Sequence, residues 1–145
     1  MKIINNIANI IIIYLVLCSS LVLAKNDFFE QGKILFEKKE FEKSKIFFEK
    51  DLVYNPKSEK SYLFLAKIFK ENEDDELTVI NLNNVLILNP KNDEAIYLLT
   101  LIKIEQSNYN EAKELIKEFD LVCKKFCSKK REMQKKFNKL IPINE

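Results

Sequence analysis

Two stretches of the chain decide its fold: DLVYNPK at residues 51–57 and VLILNPK at residues 85–91. Both end in the tripeptide Asn-Pro-Lys, and the second stretch begins 34 positions after the first. Proline cannot donate the next helical amide bond, and it disfavours helical backbone in the residue before it. Each tripeptide therefore predicts the end of a helix. The fixed spacing predicts that one structural unit is repeated.

The same shift aligns positions throughout this unit. The first copy carries Phe28, Gln31-Gly32, Leu35, Ser44, Phe48 and Pro56, and the second carries Tyr62, Leu65-Ala66, Phe69, Thr78, Leu82 and Pro90. A third copy carries Ile96, Leu99-Thr100, Lys103, Ala112 and Ile116, with Lys124 in place of the proline. This pattern resembles the tetratricopeptide repeat family, in which large, small and aromatic residues and a closing proline recur about every 34 residues.

The resemblance implies an all-α solenoid of helical hairpins, wound as a right-handed superhelix. The domain would span residues 25–145, with repeats at about 25–58, 59–92 and 93–126. Apolar residues at intervals of three and four predict the first helices at Asp27–Lys38, Glu59–Glu71 and Glu94–Glu105. The second helices are predicted at Phe41–Val53, Glu76–Leu88 and Asn110–Cys123. The alternative is an ordinary antiparallel helical bundle.

A last amphipathic helix is predicted over residues 128–140. Met133, Phe137 and Leu140 share one side of it, and lysines and Arg131 occupy the other. One repeat cannot bury its own apolar face, so the final repeat needs a cover. We expect this segment to be the capping helix of the solenoid.

Residues 1–24 have the layout of a secretory signal. Lys2 precedes an apolar run from Ile10 to Leu17, and Ala24 suits a cleavage site. The prediction is an exported protein, periplasmic or secreted, that begins at Lys25. An uncleaved N-terminal membrane anchor is the alternative, because the apolar stretch approaches the roughly 20 residues that span a bilayer. Cys18 also suggests a lipoprotein, but Leu17 is larger than the residue such signals place before the cysteine.

Composition excludes several classes of function. The chain has no histidine and one glycine, Gly32. It therefore lacks the commonest general base and transition-metal ligand, and it cannot form a glycine-rich phosphate loop. The formal net charge is only +2, which argues against nucleic acid as a partner. We predict a protein that is not an enzyme, with no cofactor, no metal and no catalytic residue.

Cys123 and Cys127 are the only cysteines after the predicted signal. Because exported proteins fold in an oxidising compartment, we expect a disulfide between them. On an unbroken helix they would lie about 6 Å apart, near the upper limit for a bridge, so we expect the helix to end near Lys124-Lys125. The disulfide would then join the third repeat to the capping helix.

Two charged runs have plain structural interpretations. The acidic run at residues 71–76 lacks the ligand pattern of a calcium loop and is expected to be a solvated turn before a helix. The basic run at residues 124–139 is expected to face water, although it would also suit an anionic lipid or an acidic partner.

The resemblance also implies a concave groove, lined by the first helices, that binds an extended or helical partner segment. The candidate partner-binding residues are Phe29, Lys33, Phe36, Leu63, Lys67, Lys70, Tyr97 and Leu101. Phe36 and Ile104 are the groove positions most expected to contribute only packing. Aromatic anchors beside lysines suit an amphipathic or acidic segment. The lysine, asparagine and arginine clamp with which some relatives hold a terminal carboxylate is missing.

Two functions follow from these features. The first is a protein-binding scaffold or adaptor of the cell envelope. The second is a structural subunit that stacks on copies of itself through an open end of the solenoid. Contact with a membrane is expected only through an uncleaved signal or through the basic C-terminal helix.

Overall fold

The computed structural model describes residues 27–140, and these form helices joined by short turns. The helices are α1 (Phe28–Glu37), α2 (Phe41–Tyr54), α3 (Glu59–Glu71), α4 (Asp75–Leu88), α5 (Asp93–Glu105), α6 (Tyr109–Val122) and α7 (Lys130–Leu140). A 3-10 turn at Cys127–Lys129 precedes α7. The all-α prediction is confirmed. The predicted signal at residues 1–24 lies outside the described residues.

Successive helices pair into three hairpins, α1 with α2, α3 with α4, and α5 with α6. The second helix of each hairpin packs on the first helix of the next, and α7 packs on both α5 and α6. This is the predicted solenoid of helical hairpins with a capping helix. The capping helix begins at Lys130, slightly later than predicted, because the 3-10 turn takes up Ser128 and Lys129.

Short polar side chains begin most of the helices. The carboxylates of Asp27 and Asp74 accept hydrogen bonds from the amides of residues 30 and 77, at 3.1 and 3.0 Å. The side chains of Asn92 and Asn108 cap α5 and α6 in the same way. Each cap satisfies an amide that has no partner within its own helix. The acidic run at residues 71–76 therefore includes the cap of α4.

The turn inside each hairpin places a residue other than glycine in the left-handed region. Lys39, Glu73 and Ser107 have φ of 61°, 58° and 58°, and they recur at the interval of the repeat. In the first turn the amides of Lys39 and Glu40 donate to the carbonyls of Phe36 and Leu35, both at 2.9 Å. The other two turns repeat this bonding. The pattern satisfies the last carbonyls of the helix and stops it.

The helices before the first two turns between hairpins end at the Asn-Pro dipeptides, as predicted. α2 ends at Tyr54 and α4 ends at Leu88, each immediately before an asparagine. The side chain of Asn89 donates to the Glu59 carboxylate at 2.9 Å. Because Glu59 is the first residue of α3, an acidic side chain at the start of the second hairpin holds the turn that ends it.

Asp93 holds the corresponding turn of the third hairpin. Its Oδ2 accepts from the backbone amides of Lys124, Lys125 and Phe126 at 2.7, 2.6 and 3.0 Å. Burial alone would raise the pKa of Asp93, but the amides of Phe126, Lys124 and Lys125 favour the carboxylate, and the net pKa is lowered. Three successive amides that point at one oxygen form an anion-binding nest, here occupied by a side chain of the same protein.

Gly32 sits where the helices of the first hairpin meet. A Cβ built on Gly32 would lie only 2.8 Å from Cε1 of Phe48, whose ring is fully buried. The hydroxyl of Ser44 donates to the Gly32 carbonyl at 2.8 Å across the same contact. The equivalent residues Ala66 and Thr100 are also fully buried. The small-residue positions of the repeat are therefore close-packing positions, as the sequence indicated.

The capping helix completes the core of the third hairpin. Met133 is fully buried and Phe137 is 9% exposed. Met133 belongs to the large cluster formed by the second and third hairpins, whereas Phe137 packs with Ile104 and Ala112. A separate, mainly aromatic cluster joins the first hairpin to the second around Phe48, Leu65 and Ile68.

Candidate partner-binding surface

The first helices α1, α3 and α5 form what we call the inner face. α1 contacts α3 directly across this face. The predicted partner-binding residues on these helices range from half-buried to buried. Lys70 is half-buried near the end of α3 and takes part in none of the hydrophobic clusters of the described residues.

Aromatic rings dominate the inner face of the first two hairpins. The Phe64 ring has its centroid 5.6 Å from that of Phe29, 5.0 Å from that of Phe36 and 5.0 Å from that of Phe48. Phe29, Phe36 and Phe64 are half-buried, whereas Phe48 is fully buried below them. The predicted residues Phe29 and Phe36 are thus brought together around Phe64, which the sequence analysis did not select.

Lysines surround these rings. The Lys60 ammonium lies 5.6 Å from the Phe29 ring centroid, and the Lys67 ammonium lies 4.9 Å from that of Phe64. Lys67 also forms an ion pair with Glu94 of α5, and Lys33 lies 4.0 Å from Glu37. Ammonium groups over aromatic faces keep apolar surface and positive charge side by side. We call the side chains of Phe29, Lys33, Phe36, Lys60, Phe64 and Lys67 the aromatic-lysine patch.

The inner face of the third hairpin is covered by the capping segment. Tyr97 and Leu101 are 7% and 5% exposed, and Leu63 of the second hairpin is 9% exposed. These three predicted residues pack in the large core cluster. They therefore stabilise the core and are not accessible to a partner. Ile104 is also buried, as expected, against Phe137.

Tyr97 shows how the cover is attached. Its hydroxyl donates to Glu132 of α7 at 3.1 Å, and its ring packs against Phe126 with a centroid distance of 6.0 Å. Burial, followed by the hydrogen bond and charge of Glu132, raises the pKa of Tyr97 to about 12. Lys129 first, and then the Tyr97 hydroxyl, hold the pKa of Glu132 below its usual range. Lys129, which belongs to the basic run, thus helps to attach the capping segment through its ion pair with Glu132.

Cys123 and Cys127 form a disulfide in the structure, with their Cα atoms 5.3 Å apart. α6 ends at Val122, slightly earlier than the predicted Lys124-Lys125, because the amides of Lys124 and Lys125 turn toward Asp93. The bridge joins the end of α6 to the 3-10 turn that leads into α7.

A pocket of about 640 Å³ lies at the N-terminal end of the aromatic-lysine patch. Phe28, Phe29, Tyr54 and Lys60 contribute to its walls. Tyr54 is 77% exposed, and its ring stacks on Phe28 with a centroid distance of 5.4 Å. Tyr54, Lys60 and Phe64 were missed by the sequence analysis. The sequence feature that could have pointed to this region is the concentration of phenylalanines in the first repeat and around Phe64.

Within residues 27–140, no group of three or more acidic or cysteine side chains is placed to hold a metal ion. No helix in this part of the chain is long and apolar enough to cross a membrane. The polar side-chain atoms that are fully buried in the same residues all have hydrogen-bond partners.

Neither a protein-family model nor a curated protein sequence matches the chain. Among solved structures, it is similar to the tetratricopeptide repeat domain of Sgt2 from Aspergillus fumigatus. The TM-score is 0.65 at 15% sequence identity, over 83% of this chain and 86% of that one. The recurrence of hairpins, turns and small residues at one fixed spacing points the same way. Residues 27–140 therefore have the fold of a tetratricopeptide repeat domain.

Proposed function

We propose that this chain is a non-enzymatic protein-binding scaffold that holds a partner segment on the aromatic-lysine patch. The observation that carries the proposal is the half-buried aromatic surface of Phe29, Phe36 and Phe64 beneath lysine ammonium groups. Aromatic side chains that are shielded from water supply much of the binding energy of protein interfaces. The similarity to a solved tetratricopeptide repeat domain supports a protein-binding function through the fold alone. The aromatic-lysine patch is a feature of this chain.

The chemistry of the patch selects the partner. Lys33 and Lys60 are accessible to solvent, and the pocket beside Phe29 and Tyr54 admits an apolar side chain. A segment with one or two apolar anchors flanked by Asp or Glu would satisfy both features. We infer that the scaffold acts in the cell envelope, on the basis of the signal-like residues 1–24.

A charge-reversal experiment tests this function. The full chain with Lys33→Glu and Lys60→Glu would be compared with a control carrying Lys113→Glu and Lys139→Glu, which makes the same charge change at exposed sites elsewhere. Partners would be captured by crosslinking in intact cells, and the bound segment would then be titrated against each form. We expect the patch variant to raise the dissociation constant at least tenfold and the control to change it little.

Two results would contradict the proposal. One is equal binding by the patch variant and the wild type, and the other is an equal loss in the control. Helical content measured by circular dichroism establishes that each variant is folded.

Self-stacking through the N-terminal end is a second candidate, favoured by one observation. Ile34 is 51% exposed, whereas its counterparts Ile68 and Ile102 are fully buried, and Ile68 packs in the cluster that joins the first hairpin to the second. The face that would receive another hairpin is therefore uncovered in the described residues. Ile34→Lys would reduce the molecular mass of the assembly if this end is the contact.

A further inference from the structure

A stripe of side chains follows the outward side of the second helices. On each helix its members are spaced by three, four and three residues, which places them on one face. The outer stripe consists of Lys43, Ile46, Lys50 and Val53 on α2, Leu77, Ile80, Asn84 and Ile87 on α4, and Glu111, Glu114, Glu118 and Leu121 on α6. All are exposed except Asn84, which is half-buried.

The apolar members of the stripe are unusually exposed. Val53, Ile87 and Leu121 occupy the same repeat position and are 76%, 76% and 86% exposed. α4 carries no charged residue from Leu77 to Leu88, although one side of it faces solvent. A contiguous row of accessible aliphatic side chains is a feature of contact surfaces. The single polar member on α4, Asn84, occupies the position where a lone asparagine fixes the register of paired parallel helices.

Charge changes sign along the stripe from one end of the solenoid to the other. α2 contributes Lys43 and Lys50 to the stripe, α4 contributes no charged residue, and α6 contributes only acidic residues and Leu121. Lys43 and Glu111 already pair with Glu40 and Lys103. Among residues 27–140, Lys50 and Glu118 form no ion pair, so each can pair with a charge on another molecule.

We propose that a second copy of this chain covers the outer stripe, in a dimer whose two-fold axis runs parallel to α4. Rotation about that axis packs α4 of one copy against α4 of the other in parallel, with Ile87 against Ile87 and Asn84 against Asn84. The same rotation carries α2 of each copy over α6 of the other. Lys50 then faces Glu118, and Val53 faces Leu121.

The charge pattern selects this axis over its alternative. A two-fold axis perpendicular to α4 would make the helices antiparallel and would place α2 over α2 and α6 over α6. Lys50 would then face Lys50, and Glu118 would face Glu118, which is repulsive. With the two-fold axis parallel to α4, Lys50 of each copy faces Glu118 of the other, and both contacts are attractive. Because a two-fold contact uses one patch twice, each contact between different residues, such as Lys50 with Glu118, occurs in duplicate. The inner face stays free for a partner.

The experiment is sedimentation equilibrium of the full chain, as cells produce it, over a range of concentrations. We expect a mass that rises to twice that of one chain. Ile87→Lys should raise the dissociation constant at least tenfold, and the control Leu140→Lys, at an exposed apolar residue at the end of α7, should leave it unchanged. Circular dichroism confirms that both variants are folded.

A charge swap then tests the axis. Lys50→Glu alone and Glu118→Lys alone should each weaken the dimer, and the double variant should restore it because each new pair again has opposite charges. Three results would each overturn the proposal. The chain could stay monomeric at about 1 mM, Ile34→Lys could weaken the dimer where Ile87→Lys does not, or the double variant could dimerise as weakly as the single variants.

Discussion

At the scale of single residues, acidic side chains fix the geometry of the turns between hairpins. Asp93 is 9% exposed, and its carboxylate accepts hydrogen bonds from three successive backbone amides. A carboxylate that accepts several amides is stabilised in its charged form. At the end of the third hairpin, where Lys124 replaces the proline of the repeat pattern, Asp93 therefore fixes the turn together with the Cys123–Cys127 disulfide.

Asp93→Asn should lower the free energy of unfolding at pH 7 by about 1–3 kcal/mol, because charged hydrogen bonds are replaced by weaker neutral ones. The folded pKa of Asp93 lies below the unfolded value of about 3.9. Its contribution is therefore fully present above the unfolded pKa and is lost as the pH falls through the folded pKa. Urea unfolding at neutral and at strongly acidic pH should show the larger difference between variant and wild type at neutral pH.

The control for this prediction is Asp75→Asn, at an exposed site in the first turn of α4, which should cost less. A difference between Asp93→Asn and the wild type that is equal at both pH values would refute the charged-state explanation.

At the scale of elements, each first helix is ended by a strained residue in place of a glycine. Lys39, Glu73 and Ser107 adopt positive φ, which costs side-chain-bearing residues about 1–2 kcal/mol. The hydrogen bonds of the turn and the packing of both helices hold them there. The sequence could not reveal these positions, because the usual glycine signal for a helix end is absent and the three residues have nothing in common but their spacing.

Glu73→Gly should raise the free energy of unfolding by up to about 1 kcal/mol, because glycine adopts the left-handed region without steric cost. Thermal and urea unfolding of the full chain measure the change. The matched control is Glu71→Gly, the same substitution at the last helical residue of α3, which should lower stability by about 0.5–1 kcal/mol. Equal destabilisation by both substitutions would contradict the assignment of strain to residue 73.

At the scale of the whole molecule, stability is divided between neighbouring hairpins. The aromatic cluster around Phe48 joins the first hairpin to the second, and the larger cluster joins the second, the third and the capping helix. A solenoid whose parts contact only their neighbours should respond locally to a core mutation.

Met133→Ala removes a fully buried side chain of the capping helix and should cost about 2–5 kcal/mol. Hydrogen exchange should show loss of protection concentrated in α5, α6 and α7, with much smaller changes in α1 and α2. The reciprocal variant, Phe48→Ala, should affect α1, α2 and α3 most. Uniform loss along the chain in both variants would mean that the solenoid unfolds as one unit.

The repeat spacing made most of this architecture predictable. It indicated the hairpins, the small residue at Gly32 and the helix ends at Asn55 and Asn89, because each depends on residues close in sequence. The inner face was less predictable. Tyr97 and Leu101 occupy groove positions, but their burial is decided by the capping segment, which follows only after the whole of α6. The position of a capping helix is not encoded in the repeat itself.

The cover that α7 places over Tyr97 would also limit the length of a motif that binds to the proposed aromatic-lysine patch. Three hairpins are present in the described residues, but only α1 and α3 have half-buried aromatic rings on the inner face, whereas Tyr97 of α5 is buried. The axes of neighbouring packed helices lie about 8–10 Å apart and each helix is about 10 Å wide with its side chains, so a surface of two helices spans about 20 Å. An extended peptide advances about 3.3 Å per residue, which corresponds to a footprint of about six residues. A scaffold that binds through the proposed aromatic-lysine patch would therefore recognise short linear motifs, and longer ligands would extend past the pocket beside Tyr54 and not over the third hairpin.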